Sequence, residues 1–154
     1  KRTVYTEIDI NASPDAVKKI FLEFDQWFKW CKVFPKIEIL SGDINDIASK
    51  PKLDLTLDFG RKNDPQKAPV NPIITVNSKK VFVWGVYNGI LIKAEHVFVF
   101  EPTNEGKGTR LIHYETMKGM LSPFLMTNKV KANMAEHYNI MNQDLKNFCE
   151  NRNQ

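Results

Sequence analysis

At 154 residues, 42% hydrophobic and 26% charged, the chain has the size and make-up of one ordinary globular domain, residues 1–154. No apolar run approaches the ~20 residues that a membrane span needs. The net charge of +4 does not signal nucleic acid, because lysine and arginine are spread from Lys1 to Arg152, gather only in pairs such as Lys18-Lys19 and Lys79-Lys80, and accompany no nucleic-acid-binding motif. The chain opens on Lys1 and not Met, so the expectation is of a processed or trimmed chain with room for a removed export signal; the default compartment is the cytoplasm. Cys31 and Cys149 fit no zinc spacing and read as free thiols, with a bridge between them left open.

In chain order, Thr3 to Ile10 alternates and predicts a first strand. Ser13-Pro14 is a cap followed by proline at the first helical position, and Val17, Ile20, Phe21 and Phe24 fall on one face of the helix behind it. A second short helix is predicted from Asp25 to Lys32, with Trp27, Phe28 and Trp30, and Pro35 closes it. Strands follow at Lys36–Ser41, Lys52–Phe59, Ile73–Asn77, Lys80–Tyr87, Ile92–Glu101 and Gly108–Met117, with turns at Asn77-Ser78 and Asn88-Gly89. Between Gly60 and Pro72, three prolines and several charges predict a long loop. Ser122-Pro123 repeats the cap signal ahead of a helix of nearly thirty residues, whose stripe is Met126, Val130, Met134, Tyr138, Met141, Leu145 and Phe148.

The stretch Glu95 to Met120 carries the most information. With period two, one strand face holds His96, Phe98 and Phe100, and its neighbour holds Thr109, Leu111, His113, Glu115 and Met117. A buried ionisable group costs several kcal/mol unless paired, so an inner face mixing aromatics with His and Glu points to a lined cavity. A packed core in which His and Glu satisfy each other is the alternative. The methionines of the helical stripe suit either core filling or a surface that adapts to ligands.

The order of strand, two short helices, six strands and long helix resembles the helix-grip fold of the START and polyketide-cyclase-like (SRPBCC) superfamily. The carriers of the resemblance are Ile8-Asp9-Ile10-Asn11-Ala12-Ser13-Pro14-Asp15-Ala16-Val17, Trp27-Phe28-Lys29-Trp30, Glu95 to Pro102, Gly108 to Glu115 and Lys118-Gly119-Met120-Leu121. It implies an α+β domain, with a curved antiparallel sheet of about seven strands gripping the C-terminal helix around a deep apolar cavity. The Gly60–Pro72 segment departs from plain members and is expected to form a rim or lid. The superfamily includes lipid carriers, hormone receptors, aromatic cyclases, chaperone activators and ring-hydroxylase subunits, so the resemblance implies a fold and not one activity.

The function expected from these readings is binding or carriage of an apolar small molecule: a lipid, sterol, isoprenoid or polyketide. The lining expected is Phe59, Phe82, Trp84, His96, Phe98, Leu111, His113, Met117, Met126, Val130, Met134, Tyr138 and Met141. The first alternative is a cyclase or dehydratase using His96, His113 and Glu115, with Phe100 paired to Thr109 so that His96 falls opposite His113. The second is a protein-interaction module with a filled interior. A metal site from His96, His113, Glu115 and His137 has suitable ligand types but needs four coincident orientations, and none is expected. No glycine-rich phosphate loop or nucleophile elbow is present, so no cofactor is expected either. A monomer is expected, with Gly60–Pro72 and Asn88-Gly89 flanking the cavity mouth. Phe124 and Leu125 either pack under the sheet edge or, with Arg61, Lys62 and Lys67, make transient contact with an anionic membrane.

Overall fold

A computed structural model describes residues 2–152; Lys1, Asn153 and Gln154 lie outside the described residues. Eight strands form one antiparallel sheet: β1 (Arg2–Ile10), β2 (Lys36–Ser41), β3 (Lys52–Leu57), β4 (Gln66–Lys67), β5 (Ile73–Asn77), β6 (Val81–Asn88), β7 (Ile92–Thr103) and β8 (Gly108–Lys118). Their order is β1-β8-β7-β6-β5-β3-β2, with the two-residue β4 paired to β3. Helix α1 (Pro14–Leu22) and a 3₁₀ turn (Phe24–Lys29) follow β1, and α2 (Ser122–Leu125) and α3 (Asn128–Asn151) follow β8. This is the helix-grip α+β architecture, with α3 laid across the inner face. Among the described residues, no helix is long and apolar enough to cross a membrane.

Four expectations change in detail. The second helix is a 3₁₀ turn that stops at Lys29, and its cap residue Trp30 returns its N–H to the Trp27 carbonyl. Gly60–Pro72 is not a plain loop, because Gln66 and Lys67 pair with Leu57 and Thr56. The C-terminal helix is broken near its start. Ser122 gives its hydroxyl to the Gly119 carbonyl and does not cap, Met126 leaves helical geometry (φ −116°, ψ 66°), and Thr127 caps α3 by accepting from Val130 N.

The fourth change is register. Phe100 pairs with Leu111 and not Thr109, which sets His96 opposite Glu115 and His113 opposite Phe98. The cause is the connecting turn: β7 runs on to Thr103, which pairs with Gly108, and Asn104, Glu105 and Gly106 take positive φ to close a tight loop. The slip is two residues, so every side chain keeps its expected face.

Aromatic rings fill the end of the grip beside α1. Phe21, Trp27, Phe82, Phe98 and Phe100 are all fully buried, and the Phe21 ring meets the other four at centroid distances of 4.6–5.4 Å. Trp27 Nε1 donates to the Phe21 carbonyl at 2.8 Å, which satisfies the one polar atom in this cluster of rings. Cys31 and Cys149 are buried free thiols, and burial pushes each up to about 12.

Candidate functional site

Along β7 the inward face runs Phe100, Phe98, His96, Ala94, from large to small. Along β6 it runs Phe82, Trp84, Val86. The interior empties in the same direction. A cavity of about 430 Å³ opens where Ala94 and Val86 leave room, with Gly85 also in its wall, and that size lies within the range of small-molecule pockets. Leu55 and Leu57 of β3 form one wall, and α3 closes the cavity with Val130, Asn133, Met134, His137 and Tyr138. Arg61, Ala68, Val70 and Pro72 of the 58–72 segment stand at its edge.

A polar column backs the cavity on the β8 side. Asn142 of α3 donates from Nδ2 to Thr6 Oγ1 (2.9 Å), and Thr6 donates its own proton to the His113 carbonyl (2.7 Å). Asn142 Oδ1 is then the acceptor for His113 Nδ1–H at 2.6 Å. His113 Nε2 is left as a lone pair, so the proton between the two imidazoles, 2.5 Å apart, belongs to His96 Nε2. One set of partners thus fixes both tautomers. His113 is fully buried behind His96, and His96 reaches the cavity wall.

Burial holds both rings neutral. It drives His96 well below the usual imidazole range, with the neighbouring His113 adding to the effect. It lowers His113 to about 4, against the opposing hydrogen bond to Asn142. Tyr138 stacks on His113 at 4.6 Å, lies tilted against His96 at 4.8 Å, and donates its hydroxyl to Glu115 Oε2 at 3.3 Å. Burial pushes the Glu115 carboxyl up to about 7, with the Tyr138 bond pulling the other way. The cavity therefore carries one carboxyl raised toward neutrality, beside the neutral His96 and Tyr138.

Of the residues the sequence nominates, the structure brings Phe59, Trp84, His96, Val130, Met134 and Tyr138 together around the cavity, joined by Glu115. Phe82, Phe98, Leu111 and Met141 lie in the main core. Met126 forms a smaller cluster with Val4 and Tyr138, against which Met117 packs. His113 acts from behind His96. His137 gives Nδ1–H to the Asn133 carbonyl (2.7 Å), with its ring 4.5 Å from Phe59. The four suggested metal ligands do not converge, since His96 and His113 commit their facing nitrogens to each other; no group of three or more such side chains forms among the described residues. Arg61 is at the cavity edge as expected of the 60–72 segment, whereas Asn88 and Gly89 do not line it. Asn142 and Thr6 carry no signal in a single sequence. The alternation Leu53, Leu55, Leu57 does predict an inward face, but nothing local places it beside α3.

No family model and no curated protein matches the chain. Solved structures do. The chain is similar to a START superfamily protein of Mycobacterium smegmatis, at 16% identity and a TM-score of 0.73, covering 98% of this chain and 99% of that one. It is similar to the Zhui aromatase/cyclase of a Streptomyces species, at 12% identity and a TM-score of 0.75, covering 99% and 96%. A protein of Thermus thermophilus matches at 15% identity and a TM-score of 0.73, covering 99% and 100%. At these identities the likeness establishes the START and polyketide-cyclase-like fold.

Proposed function

We propose that the chain is a binding or carrier protein for an apolar small molecule of the lipid, sterol, isoprenoid or polyketide-like class. The observation that carries this reading is the half-empty grip: a cavity of about 430 Å³ in a fold whose other half is packed solid with rings. Phe59, Trp84, Val130 and Met134 supply apolar wall, worth ~25 cal/mol per Å² removed from water. His96, Glu115 and Tyr138 supply the few polar contacts that orient a ligand. The chain works as a monomer and one domain, takes no nucleic acid, and exchanges its ligand through transient membrane contact. Native mass spectrometry after incubation with a lipid extract tests the reading. One ligand mass per chain is expected, and a bare protein at every concentration would remove the carrier function.

One observation favours a second reading, a cyclase or dehydratase. Glu115, with a carboxyl near neutrality and a Tyr138 hydroxyl beside it, is equipped to exchange a proton with a bound carbonyl compound, with His96 as a fixed neutral hydrogen-bond partner. Glu115→Gln separates the two. An enzyme loses turnover of a polyketide-like substrate while retaining binding, whereas a carrier shows only a changed affinity.

A further inference from the structure

Six large exposed apolar side chains gather at one place outside the cavity, while Phe28, Tyr5, Leu40 and Val70 stand apart from that group. The β6–β7 loop carries Ile90 (76% exposed) and Leu91; the segment after β8 carries Met120 (63%) and Leu121; α2 carries Phe124 (78%) and Leu125. The three pieces are one unit. Met120 N donates to the Ile90 carbonyl and Leu121 N to the Leu91 carbonyl, each at 3.0 Å, and Phe124 N and Leu125 N both donate to the Leu121 carbonyl. Gly119, at φ +105°, makes this docking possible, because a Cβ there would stand 2.5 Å from the Leu91 carbonyl oxygen.

Charge sorts around this unit. Residues 88–94 and 116–135 contain four lysines, Lys93, Lys118, Lys129 and Lys131, and no Asp or Glu. Those four charges equal the +4 of the entire chain, so the rest of the sequence is balanced. Lys93 and Lys118 are cross-strand partners next to the loop tips, with the Glu95 carboxylate 3.6 Å from Lys93. The cavity begins close by: Val130, in the first turn of α3, is both a cavity wall and 37% exposed.

We propose that Ile90, Leu91, Met120, Leu121, Phe124 and Leu125 form a wedge that inserts into the headgroup region of an anionic bilayer, with the lysines on lipid phosphates and carboxylates. The proposal rests on the carrier reading for its purpose, a ligand drawn from lipid, and replaces the Arg61, Lys62 and Lys67 side of the molecule as the docking face. Apolar loop tips and a one-turn helix, with lysines in the flanking strands and helix, match a surface that is apolar below and negative above. A second copy of the chain is a poor occupant, since a two-fold contact would set the same four lysines against themselves.

Cosedimentation with phosphatidylcholine vesicles, with and without phosphatidylserine, tests the proposal. The expected result is binding to the phosphatidylserine vesicles that weakens with salt. Ile90→Ser with Phe124→Ser should reduce it at least ~10-fold with the melting temperature retained. Lys118→Gln with Lys129→Gln should cost roughly 5-fold per lysine. Absence of vesicle binding by the folded wild type overturns the proposal, as does equal binding to both vesicle types. A wild-type dimer made monomeric by the serine pair also overturns it, by assigning the face to a second copy. Uptake of phenylnaphthylamine in vesicle-free buffer reports on the cavity alone, so a failed wedge and a failed carrier give different results.

Discussion

The two halves of the grip are built from the same strands and differ in what faces inward. Beside α1, β6 and β7 present Phe82, Phe98 and Phe100, and Phe21 closes over them with ring contacts on every side. Four residues before Phe98 along β7, toward its start, the same face presents Ala94, and α3 spans the gap with methionine and tyrosine. The packed half supplies stability through ring burial, and that leaves the other half free to stay hollow. Between the two stands the column of His96, His113 and Asn142, joined by hydrogen bonds from Asn142 through His113 to His96.

The largest stability effect belongs to the packed half. Phe21→Ala removes the ring that touches four others and should cost about 3–5 kcal/mol in urea unfolding. An effect below about 1 kcal/mol would mean that the two halves are not so divided. Second comes the column. Asn142→Ala strips the acceptor from the buried His113 Nδ1–H and should cost about 1–3 kcal/mol. In wild type, nitrogen NMR should show His113 protonated at Nδ1 and His96 at Nε2; the opposite pair of tautomers would contradict the column.

A smaller effect is expected from pH. Glu115 holds its proton to about pH 7 when folded, against 4.5 in the open chain, so the stability it adds is present below 4.5 and is lost as pH rises through 7. The histidines act in the other direction: His113, lowered to about 4 from 6.5, adds stability that is present above 6.5 and is lost as pH falls toward 4, and His96 follows it. Between pH 4.5 and 6.5 the carboxyl offsets one of the two histidines, so the sum still rises with pH and levels off near pH 7 with almost no alkaline decline. Glu115→Gln removes that offset and should steepen the acid-side loss while leaving the alkaline side flat. A profile unchanged by that substitution would show that the carboxyl is not held in the cavity wall.

Much of this division was legible in the sequence. The two period-two faces from Glu95 to Met120 placed His96, His113 and Glu115 inward, and the stripe on the last helix named Met134 and Tyr138. The turn at Asn104–Gly106, which sets the register, was not legible, because positive φ at Asn104 and Glu105 is a backbone outcome that their side chains do not announce. Nor was the break at Met126, since Ser122-Pro123 carries the stronger local cap signal, yet Thr127 does the capping. The division of the nominated lining into cavity wall and core depends on how far the sheet curves. Phe98 and Ala94 share one face, and only the depth of the sheet around them makes one core and the other wall.

The central claim is that the hollow half is the ligand site. A titration of phenylnaphthylamine into wild type and Met134→Trp, followed by the probe's own emission, tests it most directly. The indole should occupy the space beside Trp84, His96 and Tyr138. The account predicts one probe per wild-type chain and at least ~10-fold weaker binding in the variant, with the melting temperature maintained or raised because the cavity is filled. Equal binding by both proteins would place the ligand elsewhere and contradict the account.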